Sequence, residues 1–168
     1  MLRIGSLMVL LLFSAQGRPA PAKVNSTYDK TAAFATFKTY GWIAGQAAFD
    51  PAANKAIVAA IDGEMSSLGL KKVEGRTGDV TLRYLAVRST SVDLDKLEAI
   101  QKQGGDTAGA DVTVGRLVIV MEDAKSGSRL WAADGVERLN PAVADRDQAI
   151  SSVVTRMFAT YPTRQKQK

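Results

Sequence analysis

The chain has 168 residues and contains neither cysteine nor histidine. Without cysteine there is no disulfide, no thiolate zinc site, no cysteine nucleophile and no acyl anchor on an N-terminal cysteine. Without histidine there is no imidazole base or ligand and no Ser-His-Asp triad. Any catalysis would fall to carboxylates, lysine or tyrosine. Charge of one sign is also lacking: 22 Lys and Arg stand against 17 Asp and Glu, for a net +5. Arg3 and Arg18 lie in the first 22 residues, so the remainder is only mildly basic. That balance favours loose contact with anionic polymers. No dense basic patch interleaved with aromatics is present, so nucleic acid is not an expected partner.

What is present suits one globular domain. The length points to a single domain, and a hydrophobic share of 46% is enough for a core without staples. Residues 1–22 read as a secretory signal. Arg3 supplies the positive n-region, Ile4 to Phe13 an apolar run too short to span a bilayer as a mature helix, and Ala20-Pro21-Ala22 a cleavage site before Lys23. Ala15-Gln16-Gly17 is a second cleavage option. This implies export to the periplasm or outer envelope. No transmembrane span is expected after cleavage, and no lipid anchor for want of cysteine.

Along residues 23–162 the hydrophobic period alternates between two and 3.6. Val24 to Asp29 alternates and reads as a first strand. Phe34, Phe37, Tyr40 and Trp42 follow, a cluster conspicuous in a chain only 7% aromatic. The favoured reading is core anchoring, because aromatics dominate core energetics; the alternative is a ring platform for a sugar or lipid. Asp50-Pro51 opens a helix by capping and a preset φ. Ile57, Ile61, Met65 and Leu68 form its stripe, and Gly69 suits its left-handed cap. Lys71 to Gly78 reads as a polar connection, and Asp79 to Arg88 as a strand. Leu94, Leu97 and Ile100 suit a short amphipathic helix. The glycines of 104–109 lack the Gly-Lys-Ser/Thr of a phosphate loop.

Val112 to Arg138 reads as a β-hairpin turning at Lys125, Ser126 and Gly127, with Gly127 at positive φ. In that register Ala124 faces Ser128, Asp123 faces Arg129 and Met121 faces Trp131. Leu117, Ile119, Met121 and Trp131 then make a core face. The opposite face carries Arg116, Val118, Val120, Glu122, Leu130 and Asp134. A second long helix starts at Asn140-Pro141 or Asp145, with a stripe of Ile150, Val153, Val154, Met157, Phe158 and Tyr161. Pro162 stops it, and residues 163–168 read as a disordered basic tail.

The expected fold is α+β: a mostly antiparallel sheet of four to five strands with two long helices, Pro51 to Leu68 and about Pro141 to Tyr161, packed on one face. The strands flanking the first helix are expected to run parallel, joined by a crossover. Arg116, Glu122 and Asp134 on the second hairpin face, with Tyr40 and Trp42, are the candidate binding residues. No catalytic residue, metal site or cofactor is expected. The expected activity is non-catalytic binding or assembly in the envelope, with an envelope protein or an anionic envelope polymer as partner. One alternative is a carboxylate-dependent hydrolase of envelope glycan pairing Glu122 with Asp134. The other is a small-ligand carrier using Tyr40 and Trp42.

Several motifs, taken in order, resemble a bacterial envelope family known as domain of unknown function 4136, many of whose members are classed as lipoproteins. They are Tyr28-Asp29, Phe34-x-x-Phe37-Lys38-Thr39-Tyr40-x-Trp42, and Asp79 before Val80 to Tyr84. Gly115-x-Leu117-Val118-Ile119, Asp123 to Gly127, Leu130-Trp131 and Tyr161-Pro162 complete the set. The resemblance implies an α+β envelope domain and no catalytic residues. The frequent lipidated cysteine of that family is missing here, and its Arg-Gly after the tryptophan is replaced by Ala132-Ala133.

Overall fold

A computed structural model describes residues 23–48, 50–139 and 146–165. The strands are β1 (Lys23–Tyr28), β2 (Thr39–Trp42), β3 (Lys71–Val73), β4 (Val80–Val92), β5 (Asp111–Asp123) and β6 (Arg129–Arg138). The helices are α1 (Pro51–Ser67), α2 (Leu94–Lys102), α3 (Arg146–Phe158) and α4 (Pro162–Gln165). The strands form one sheet in the order β1-β6-β5-β4-β2-β3. The first four are antiparallel neighbours, whereas β2 runs parallel to both β4 and β3.

The α+β class and a mostly antiparallel sheet with a parallel pairing are as expected, but the sheet has six strands rather than four or five. The extra strand is β3, in the stretch read as a polar connection. Lys71-Lys72-Val73 has no alternating apolar pattern to betray it. It is held by pairing to β2 and by an ion pair from Lys72 to Asp62, and its lysines suit an edge strand. As expected, β2 and β4, the strands read on either side of α1, are parallel; the unforeseen β3 is parallel to β2 as well.

α1 begins as its sequence dictates. The Asp50 side chain accepts from the Ala52 N–H at 2.9 Å, Pro51 takes the first helical position, and Gly69 follows at φ 83°. Ile57, Ile61 and Met65 are its buried stripe. Val153, Val154, Met157 and Phe158 are that of α3. Both stripes join one core with Val80, Leu82, Leu117, Ile119, Met121 and Trp131 from one face of the sheet. Burying each such side chain contributes about 1.5–3 kcal/mol before chain entropy is set against it. Trp131 sits at the centre, its ring 5.1 Å from that of Phe158 and 5.7 Å from that of Tyr161. Gly135 lets α3 approach β6 closely: a Cβ there would lie 3.0 Å from Val153 Cγ1.

The C-terminal end differs from expectation. α3 ends at Phe158, and a separate turn, α4, follows from Pro162. Tyr161 still reaches the core. Thr163 to Gln165 belong to α4 and are tied down, because Arg164 pairs with Glu64 of α1 at 2.7 Å. The expected helix start at Asn140-Pro141 or Asp145 lies outside the described residues, as do the expected signal at 1–22 and the last three residues of the expected tail.

The hairpin turn is one residue longer than expected. Met121 does face Trp131, and Gly127 has φ 71°. A bulge between Met121 and Glu122 then places Glu122, not Asp123, opposite Arg129. Asp123 accepts from the Gly127 N–H with its carbonyl and donates its own N–H to Ser128. Its carboxylate takes the Ser126 N–H at 2.7 Å and the Lys125 N–H at 3.0 Å. The carboxylate thus serves the turn, so the Asp123–Arg129 pair does not form. The register slip also sends Leu130 into the core instead of the second face.

Candidate functional site: the second face of the sheet

Side chains alternate across a sheet, so a face opposite the core follows from the register. One row is Arg83, Val120, Ala132 and Thr27; the next is Leu85, Val118, Asp134 and Asn25; the third is Val87, Arg116, Val136 and Lys23. Neither α1 nor α3 buries its stripe here, and α2 has no buried residue at all. Leu85, Val118, Ala132 and Val136 are half-buried, and Val87 is 47% exposed. The face is therefore an apolar strip crossed by charged side chains.

Two ion pairs cross it. Arg116 grips Asp134 in a fork, Nε to Oδ1 at 2.8 Å and Nη2 to Oδ2 at 2.9 Å. The Asp134 hydrogen bond and charge raise the guanidinium pKa above its ordinary value. Arg83 pairs with Glu122 at 2.5 Å, and the glutamate is buried where the arginine is not. At that end the face closes over. Gly41 lies against the carbonyl of Gly75, where a Cβ would come within 1.7 Å of the oxygen, so no side chain fits.

Three of the five expected binding residues, Arg116, Glu122 and Asp134, lie on this one face. The two carboxylates do not converge. Asp134 stands opposite Val118, four residues along β5 from Glu122, or about 13 Å at strand rise. A glycosidase pair needs about 5–9.5 Å. Each carboxylate is instead matched with its own arginine.

Tyr40 and Trp42 lie elsewhere. Tyr40 is 2% exposed and donates its hydroxyl to Asp62 Oδ1 at 2.8 Å; Trp42 Nε1 donates to the same oxygen at 2.9 Å. Lys72 holds the other oxygen at 2.8 Å. Burial first, then the Asp62 hydrogen bond and charge, push the Tyr40 pKa well above its ordinary value. These rings join β2, α1 and β3, and their polar ends are occupied. Sequence reasoning missed Asp62. The available signal was the pair of aromatic donors, since a buried Tyr or Trp usually finds an acceptor.

The motif residues Lys38, Thr39 and Asp79 also meet. The Asp79 carboxylate accepts from the N–H groups of Lys38 and Thr39 at 2.8 and 3.0 Å and from the Thr39 hydroxyl at 3.0 Å. Those bonds hold its pKa below the usual carboxylate range. The Asp79 carbonyl accepts from the Ala124 N–H at 3.1 Å, which fastens the hairpin turn to β4. Among the described residues no group of three or more acidic side chains is placed to hold a metal ion. No helix among them is long and apolar enough to cross a membrane.

These features define an α+β domain with a sheet backed by helices on one face and crossed by ion pairs on the other. The chain belongs to the family described as "Domain of unknown function (DUF4136)", whose model matches residues 24–163. Solved structures share the fold. A DUF4136 family protein from Bacteroides thetaiotaomicron is 16% identical with a TM-score of 0.58, over 86% of this chain and 98% of that one. The PelC dodecamer from Paraburkholderia phytofirmans is 11% identical with a TM-score of 0.55, over 82% of this chain and 95% of that one. A PDZ domain protein from Parabacteroides distasonis is 15% identical with a TM-score of 0.54; the match spans 86% of this chain and 37% of the larger protein. At such identities the likeness is one of fold. No curated protein matches the sequence.

Proposed function

We propose that this chain is a non-catalytic binding or assembly module of the bacterial envelope, acting through the second face of its sheet. The observation that carries the reading is that face itself: half-buried Leu85, Val118 and Val136 beside exposed Val87, crossed by the Arg116–Asp134 and Arg83–Glu122 pairs. Apolar area supplies affinity, and matched charges supply register and partner choice. The carboxylates of the face are each paired, which leaves no acid and base facing one another across a cleft. Export rests on the signal-like residues 1–22. PelC, of the same fold, is a dodecamer, in keeping with an assembly role. The partner class is an envelope protein or an anionic envelope polymer.

The test is photo-crosslinking in cells from a probe at Val118, with a probe at exposed Lys55 of α1 as control. A product specific to Val118, and weakened by Asp134→Arg, is expected. No product from Val118 would overturn the reading. Release of reducing sugar from envelope glycan, lost on Glu122→Gln, would replace it with the hydrolase.

A further inference from the structure

The β4–β5 ladder is longer than its neighbours. It runs unbroken from the Val80–Asp123 pair to the Val92–Asp111 pair. On the side of β4 away from β5, the partner is β2 and then Gln46, which donates to the Tyr84 carbonyl at 3.0 Å and accepts from the Ala86 N–H at 3.1 Å. Those bonds fix the parity: even-numbered residues of β4 point their main-chain groups away from β5. Beyond Ala86, no described strand pairs with the outward groups of Arg88, Thr90 and Val92. Residues 87–92 are all exposed. Ser89-Thr90-Ser91 carries no lysine, proline or bulge of the kind that usually blunts an edge.

The edge is also self-complementary. A groove of about 540 Å³ begins where the Gln46 pairing stops, lined by Gln46, Ala47, Ala86, Val87 and residues to Thr90. At the other end of the same edge stand two uncovered apolar side chains, Val92 at 49% and Leu94 at 72% exposure. An antiparallel two-fold centred on Thr90 sets Thr90 opposite Thr90 of the second copy and Arg88 opposite Val92. It brings Leu94 of the second copy opposite Ala86, at the mouth of the groove. The two Arg88 charges are then about 13 Å apart, so like charges do not face each other. We propose that this chain pairs with a second copy of itself along the Arg88–Val92 edge of β4, with Leu94 of each copy seated in the groove at Ala47 and Ala86 of the other. The join supplies about six main-chain hydrogen bonds in three directly opposed pairs and fuses two sheets into one. It uses the edge of the sheet, meets the second face only at Val87, and does not depend on that face having a partner.

The absence of cysteine makes the test clean. In an antiparallel bonded pair the Cα atoms lie about 5.5 Å apart, within disulfide reach. Thr90→Cys is expected to give a covalent dimer on mild oxidation, and Arg88→Cys alone is not. A mixture of Arg88→Cys and Val92→Cys chains is expected to give the heterodimer. Light scattering on the unmodified full chain is expected to show twice the chain mass, and Thr90→Pro to halve it. Thr90 points its N–H away from β5, so this proline removes no bond of the β4–β5 ladder. Leu94→Lys tests the groove if the proline variant folds poorly. A monomer at all concentrations, equal crosslinking from Arg88→Cys and Thr90→Cys, or a dimer that survives both Thr90→Pro and Leu94→Lys would each overturn the proposal.

Discussion

Tyr40 and Asp62 meet at 2.8 Å across the junction of β2 and α1, and the same carboxylate oxygen takes the indole N–H of Trp42. Removing the acceptor strands two partly buried donors, which costs about 1–3 kcal/mol. Asp62→Ala is therefore expected to lower the unfolding free energy measured in urea by that amount, and Lys72→Ala, which removes a more exposed pair, by less than about 1 kcal/mol. Tyr40→Phe combined with Asp62→Ala should cost less than the sum of the two, because they share one bond. Strict additivity in urea titrations would show that the contact does not form.

Asp79 and Asp123 are both held below the usual carboxylate range by hydrogen bonds to backbone N–H and hydroxyl groups. A depressed folded pKa adds stability above the unfolded value, about 3.9, and loses it as pH falls through the folded value. Stability is thus expected to hold from neutral pH to about pH 5 and to fall below about pH 4. Glu137 runs the other way: burial raises its pKa despite Arg156, so its penalty is relieved on acidification. Asp79→Asn should cost about 1–2 kcal/mol at pH 7 and flatten the acid limb. Thermal unfolding between pH 3 and 7 measures both effects, and an unchanged acid limb in the variant would refute the assignment.

Gly41 is expected to tolerate no side chain. A Cβ would sit 1.7 Å from the Gly75 carbonyl oxygen, and backbone atoms cannot yield as a flexible side-chain tip can. Gly41→Ala should cost about 1–3 kcal/mol or more as overpacking does, with raised hydrogen exchange in residues 74–78 as that loop is pushed off. Gly63 meets nothing within 4 Å of its added Cβ and lies inside α1, so Gly63→Ala should instead stabilise by about 0.5–1 kcal/mol.

Arg116→Ala is expected to leave stability nearly unchanged, since the guanidinium is exposed and its pair with Asp134 is screened. If the second face binds a partner, the same substitution should weaken capture of that partner by well over the change in stability. A large drop in melting temperature on Arg116→Ala would make the pair a structural strut instead.

Much of the scaffold was legible from local pattern. Strand alternation in 24–29 and 80–88, the Asp50-Pro51 start of α1 and the stripe of α3 all depend on residues near one another in the chain. The hairpin was legible except for its bulge, because whether Asp123 bonds across to Arg129 or folds back onto Ser126 is settled by one register step. β3 escaped notice because three residues with two lysines carry no period. Of the candidate residues, the shared face of Arg116, Glu122 and Asp134 followed from strand parity. Their pairing with separate arginines did not, since Arg83 reaches Glu122 from a different strand.

The sequence alone excluded whole classes of chemistry: with no cysteine and no histidine, thiol, imidazole and disulfide functions are absent whatever the fold. It also determined the α+β class and the membership of the hairpin, because period-two and period-3.6 burial are properties of a local chain. Tertiary structure decided what each polar group is for. Whether Tyr40 meets a ligand or Asp62, whether Glu122 meets Asp134 or Arg83, and whether the edge of β4 is paired or bare depend on contacts between residues far apart in sequence. Only the packed arrangement of strands and helices sets those distances.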